Sequence, residues 1–143
     1  SSVLASGLIG VMAQRLIPAL CPICKEEGEP HQVEKDTLAG IMKSGEEVKS
    51  IARNKGCDKC SEDGYIGRIP VYEYWEKCNT IENAILSSTN YIDLVDAVEN
   101  TGEFRSLYEF GLQMVLNGLT TIEKVDEHLY GTEVDRKNKK DHT

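Results

Sequence analysis

The chain has 143 residues, 40% of them hydrophobic, and a formal net charge of −8. That length holds one domain, or a small domain with a fragment of a second, around a modest core. With 24 acidic against 16 basic side chains it lacks the electrostatic footprint of a nucleic-acid binder, and no apolar run reaches the roughly 18 residues that a membrane span needs.

The acidity is uneven. Residues 1–78 carry 10 basic and 12 acidic side chains, and residues 79–143 carry 6 and 12. The one positive cluster, Arg136–Lys140, reads as a solvated tail.

Residues 1–16 read as a helix, with apolar rows Leu4, Leu8, Val11, Met12 and Ala5, Ile9, Leu16 and Ser1 or Ser2 as cap. A helix apolar on so many sides is expected to be buried on two faces. Ser1 is therefore not expected to be the natural start, and the segment reads as cut from a larger domain. Pro18 ends the helical stretch.

Residues 25–33 read as a loop. Residues 34–44 predict a short helix, contacted through Val33, Leu38, Ile41 and Met42 and ended at Gly45. A short strand near Val48 and Ile51 follows, then a turn at Asp63-Gly64. Residues 65–75 are rich in β-branched and aromatic residues and predict a strand, in which Pro70 requires an edge or a bulge.

Four helices then follow: Thr80–Ser87; one capped by Thr89 or Asn90 and running to Asn100; Phe104–Asn117, closed by Gly118; and one capped by Thr120 or Thr121 that ends near Leu129 and Gly131. Residues 132–143 are expected to be disordered.

The chemistry lies in two Cys-x-x-Cys turns, Cys21-Pro22-Ile23-Cys24 and Cys57-Asp58-Lys59-Cys60, 32 residues apart. Two thiols on one tight turn can reach one ion, and two such turns close a tetrahedral shell for structural zinc, with no position left for a reactive water. Two other readings compete. Disulfides suit an odd count of five cysteines poorly, and no secretory leader pattern opens the chain. A redox dithiol needs one such pair, not two. Free thiolates imply a reducing compartment, hence the cytoplasm.

Other single residues carry less. Cys78 has no neighbouring pair and reads as a free thiol. His31 could stand in for a sulfur, though four already suffice, and His128 reads as a surface or half-buried side chain. Arg15 reads as one half of an ion pair, and Arg68 and Glu73 as braces. Lys25, Lys55 and Lys59 either offset the charge of a zinc tetrathiolate or are simply solvated. No Ser–His–Asp or paired-carboxylate arrangement emerges.

The order of motifs resembles the secretion ATPases, the motors of type II secretion and type IV pilus assembly. The residues that carry it are Gly10-Val11-Met12-Ala13-Gln14-Arg15-Leu16 before Cys21 and Cys24; Gly56, Cys57 and Cys60; Gly64-Tyr65, Gly67-Arg68 and Tyr72-Glu73; and Gly118-Leu119-Thr120-Thr121-Ile122-Glu123-Lys124-Val125. The resemblance covers roughly residues 1–130. Two departures stand out: the insert between the turns is the chain's own, and Pro70 stands where the family commonly has a small residue. The sequence also contains no Gly-x-x-x-x-Gly-Lys-Ser/Thr loop. The resemblance therefore implies a C-terminal piece of such a motor, with ATP and magnesium bound only by the remainder of a longer parent. It further implies a hexamer, peripheral at the inner face of the membrane and partnered with an inner-membrane platform.

The expected fold is α+β, mostly α: a terminal helix cut from an ATPase core (1–20), a tetracysteine zinc module with short strands (21–77), a four-helix cap (78–131) and a tail (132–143). The alternative function is a stand-alone zinc-ribbon module that binds a protein partner.

Overall fold

A computed structural model of the chain describes residues 2–87, 90–102 and 104–141, with side chains as far as Thr132. In chain order the elements are α1 (Ser2–Gly7), β1 (Gly10–Leu20), β2 (Glu26–Gly28), α2 (Gln32–Ala39), β3 (Ile51–Arg53), β4 (Tyr65–Glu76), α3 (Asn79–Ser87), α4 (Tyr91–Glu99), α5 (Leu107–Leu116) and α6 (Ile122–Asp141). The α+β, mostly α class is as expected. Ser1 and Thr89, two of the candidate caps, lie outside the described residues.

The first correction is at the N-terminus. Helix covers only Ser2–Gly7, and the rest of the expected helix is strand β1, antiparallel to β4 from Gly10 opposite Glu76 to Leu20 opposite Tyr65. Apolar residues on every side of a helical wheel fit equally a strand with apolar residues on both faces. Here Ile17 turns inward and is fully buried, whereas Met12 and Leu16 point outward and are exposed. Antiparallel pairing with β4 runs from Gly10 to Leu20, so the partner strand decides what local periodicity leaves ambiguous. Pro70 sits opposite Leu16 in this two-stranded sheet, where each strand is an edge and a missing N–H is tolerated.

The expected loop over 25–33 contains β2, which pairs with β3 from Glu26 opposite Arg53 to Gly28 opposite Ile51. Helix α2 stops at Ala39, before Gly45, and Val33 is 75% exposed instead of packed. In the segment 132–143, expected to be disordered, α6 runs through Gly131 to Asp141, and residues 142 and 143 lie outside the described residues. A helical glycine costs only about 1 kcal/mol relative to alanine, and the Glu, Arg and Lys beyond it are good helix formers.

The other helix ends follow local chemistry. The Asn90 side chain accepts the Ile92 N–H at the start of α4. Ser106 and Glu109 form a reciprocal capping box at the start of α5, three residues later than Phe104. Gly118, at φ 70°, takes the left-handed position after α5. Thr121 caps α6 through the Lys124 N–H.

One apolar core joins the strands to the last two helices. Ile17, Leu38, Ile51 and Val71 pack with Leu107, Leu112, Val115, Val125 and Leu129. It therefore runs across the boundary drawn at residues 77 and 78. The α5–α6 connection is fastened to the strand that leads into the first cysteine turn: Leu20 N–H donates to Leu119 O at 2.9 Å, and the buried Thr120 hydroxyl donates to Pro18 O at 2.8 Å.

Candidate metal centre

Each cysteine turn is built from its own sequence. In the first, β1 delivers Cys21 and a tight turn through Pro22 and Ile23 brings Cys24 round, with Lys25 N–H donating to Cys21 O at 3.1 Å. In the second, Asp58–Cys60 is a single 3₁₀ turn in which Cys60 N–H donates to Cys57 O at 3.1 Å. Gly56 precedes it at φ 108°, and a Cβ there would stand 2.7 Å from Glu62 O, so only glycine fits. Ser61 and Glu62 follow with positive φ. A bond from Cys21 N–H to Gly64 O at 2.9 Å ties the two turns together.

The result is a convergent set of four sulfurs. The Sγ atoms of Cys21, Cys24, Cys57 and Cys60 all lie within 4.8 Å of one another. Three separations are 3.9 Å (Cys21 to Cys57), 3.8 Å (Cys24 to Cys60) and 3.7 Å (Cys57 to Cys60). Four sulfurs about 2.3 Å from a central zinc lie about 3.8 Å apart along the edges of a tetrahedron, and a disulfide requires about 2.05 Å. The spacing thus matches a shared ion. Cys21, Cys24 and Cys60 are buried and Cys57 is partly exposed. A soft, closed, sulfur-only donor set is compatible with zinc.

The local field already distinguishes the sulfurs. Burial pushes the Cys24 thiol up to about 11, against an opposing N–H from Gly56. Burial also acts to raise Cys60, but the N–H groups of Cys57 and Gly64, each 3.2 Å from its Sγ, together with the neighbouring thiols, bring it down to about 7. Backbone N–H donors at a sulfur stabilise its thiolate.

The remaining candidates lie elsewhere. Among the described residues the cluster contains no histidine. His31 sits at the N-terminus of α2, where its backbone N–H donates to Glu34 at 2.7 Å. Cys78 is exposed and outside the cluster. His128 is half-buried, its Nδ1 3.0 Å from Lys124 O. Arg15 is exposed opposite Val71 and makes no ion pair among the described residues. Glu73 does brace the fold, accepting the Leu107 N–H at the start of α5 at 3.1 Å.

Of the three lysines, Lys55 pairs with Glu26 and Lys59 stays exposed. Lys25 reaches across to donate to Gly118 O at 2.8 Å. That bond was invisible in the sequence, because the two residues are 93 positions apart. The N–H donors at Cys60 left a fainter trace, in the glycines that flank the second turn.

Fold and site together define a small, mostly α, α+β chain whose four cysteines could hold a metal ion. The sequence pattern of the type II/IV secretion system protein family matches residues 1–127, and the chain belongs to that family. It is 31% identical over 124 residues to the type IV pilus assembly ATPase PilB of Thermus thermophilus, covering 85% of this chain and 14% of that protein. It is 30% identical over 122 residues to type II secretion system protein E of Pseudomonas aeruginosa, covering 85% and 23%. A type II secretion system ATPase E from Vibrio cholerae matches at 31% over 122 residues, again 85% and 23%. The chain thus spans between about a seventh and a quarter of the length of these relatives.

Proposed function

We propose that this chain is the zinc-bearing C-terminal portion of a secretion or type IV pilus assembly motor, with Cys21, Cys24, Cys57 and Cys60 as the four ligands. The observation that carries this is the set of sulfur separations at tetrahedral-edge length in a chain of this family. Four thiolates close the shell, so the ion's work is structural. It clips the loop between the two turns to β1 and β4.

ATP hydrolysis with magnesium belongs to the remainder of a longer parent, since these 143 residues contain no phosphate-binding loop. The parent is a cytoplasmic hexamer, peripheral at the inner face of the membrane. Its zinc projection braces the ring and contacts an inner-membrane platform in protein transport or pilus assembly. The division into a terminal segment, a zinc module and a helical cap is part of the same reading. Among the described residues no helix is long and apolar enough to cross a membrane. Val3, Leu4, Ile9 and Met12 are all more than half exposed, and apolar surface of that extent suits burial against a neighbour.

Two measurements test the reading. Protein purified with its thiols reduced should carry one zinc per chain, and cobalt in its place should give the spectrum of a tetrahedral four-sulfur site. Metal-free folded protein with a reversible disulfide in either turn would overturn the zinc site in favour of redox chemistry. The gene upstream of Ser1 should encode a phosphate-binding loop. A start codon at Ser1 without one would overturn the motor and leave a zinc-binding adaptor.

A further inference from the structure

The two long strands present different outer edges. In an antiparallel strand the N–H and C=O of one residue point to the same side, and successive residues point to opposite sides. The hydrogen bonds at the two ends of β1 fix which side is which. Lys77 N–H donates to Ile9 O at 2.8 Å and Cys21 N–H to Gly64 O at 2.9 Å, so the odd-numbered residues face β4. Leu20 N–H and Pro18 O turn the other way, to Leu119 O and the Thr120 hydroxyl. The break in register leaves the extra residue on β4, since Pro18 lies opposite Arg68 and Leu20 opposite Tyr65. The alternation along β1 is therefore unbroken. The peptide groups of Met12, Gln14 and Leu16 point away from β4, and among the described residues no hydrogen bond reaches them.

The outward residues of β4 are those opposite them, Tyr74, Tyr72 and Pro70, followed by Arg68. Pro70 offers no N–H and Arg68 carries a charge, and both features stop a further strand from adding to an edge. Met12, Gln14 and Leu16 include neither. Met12 is 61% and Leu16 49% exposed. An open, uncharged, apolar edge is a template for strand addition. The same N-terminal segment also leaves Val3, Leu4 and Ile9 exposed, which is more apolar surface than one extended peptide covers.

We propose that the outer edge of β1, from Met12 to Leu16, pairs with a strand of the same parent polypeptide from outside these 143 residues, which makes β1 an inner strand of a larger sheet. The inference rests on the reading of the chain as part of a longer motor. Length favours this occupant: the chain spans 14% of one relative and 23% of another, and a tethered strand competes at high effective concentration. A second copy joined through the same edge needs a two-fold axis, which a ring of subunits joined head to tail does not use. The added strand carries apolar residues on the face it shares with Met12 and Leu16.

The test compares amide exchange, residue by residue, in this chain and in the parent protein. In the chain, Ala13, Arg15 and Ile17 should be protected, and Met12, Gln14 and Leu16 should exchange about tenfold faster or more at every protein concentration. In the parent those three should slow by about a hundredfold. Gln14→Pro removes one outward N–H, so the melting curve of the chain should not change. In the parent the same change should speed exchange at Met12 and Leu16 about tenfold.

A parent that contains a phosphate-binding loop, yet exchanges Met12, Gln14 and Leu16 as fast as the chain does, overturns this inference and leaves the motor reading standing. A gene that encodes nothing upstream of Ser1 overturns both. Protection of the three amides in the chain that disappears on dilution would give the edge to a second copy and overturn the proposal.

Discussion

The two cysteine turns and the core under β4 stand side by side and are held by different physics. The core is a continuous set of aliphatic side chains, among them Ile17, Val71, Val115, Val125 and Leu129, none more than 1% exposed. It draws on burial of apolar area at about 25 cal/mol per Å². The apolar cluster at the turns consists of cysteines alone, with turn hydrogen bonds, two positive-φ glycines, Gly56 and Gly64, and two non-glycine residues at positive φ around it. Four thiols packed together bury little carbon and face one another's partial charge. On the proposed zinc reading the turns lean on an ion that the core does not need, although the Lys25–Gly118 hydrogen bond joins the first turn to the end of α5.

The sharpest way to separate the regions is to remove the ion. Structural zinc in small modules carries apparent binding free energy of about 10–16 kcal/mol. Cys57→Ser, or a chelator, should release the zinc and abolish amide exchange protection first in residues 21–31 and 54–64. Protection in α5 and α6 should persist. Simultaneous loss in both sets, followed by exchange mass spectrometry, would show that the regions unfold as one. The converse change acts on the core. Leu129→Ala empties a fully buried site and should cost about 2–5 kcal/mol, seen as a fall in denaturation midpoint. The zinc content of the still-folded protein should stay at one per chain.

How far each region could be read in advance follows from the range of its determinants. The convergence of the four cysteines was legible because Cys-x-x-Cys places two sulfurs on one turn by local geometry. The strand over 65–75, the glycine stop at 118 and the cap at Thr121 are local for the same reason. The strand over Gly10–Leu20 was not legible, because its apolar residues satisfy a helical wheel and only Tyr65–Glu76, some fifty residues later, selects the extended form. Nor was β2, since Glu-Glu-Gly has no strand propensity and is held by Ile51–Arg53. Contacts such as Lys25 to Gly118 are set by tertiary approach and leave no sequence pattern.

Two smaller changes test one local device in each region. Gly56→Ala forces a Cβ onto φ 108° and to within 2.7 Å of the Glu62 carbonyl. It should cost about 1–3 kcal/mol, read as weaker zinc retention in a chelator competition with little change in α5 or α6. Ser106→Ala deletes the side chain that accepts the Glu109 N–H at 3.2 Å. It should cost about 0.5–2 kcal/mol, read as a lower denaturation midpoint with zinc affinity unchanged. Crossed results, with Gly56→Ala acting on the helices or Ser106→Ala on the metal, would dissolve the distinction between the regions.

The smallest effect concerns a pair that lies between them. Arg53 on β3 reaches Glu34 on α2 at 2.8 Å, with the side chains 35% and 21% exposed. The hydrogen bond from Arg53 holds the Glu34 carboxyl below its ordinary value of 4.5, against the opposing effect of burial. A folded-state value below the unfolded one stabilises the protein at pH values above the unfolded value. That stability is lost as pH falls from about 4.5 through the lower folded value. Solvent screens so exposed a pair, which limits it to about 0.5 kcal/mol. Glu34→Gln should therefore lower stability by about that much at pH 7, and the difference from the parent chain should shrink as the pH is taken below about 4.5. Urea denaturation of both proteins across this range measures it. A difference that stays constant into acid would mean that Glu34 acts by packing against α2 and not through its charge.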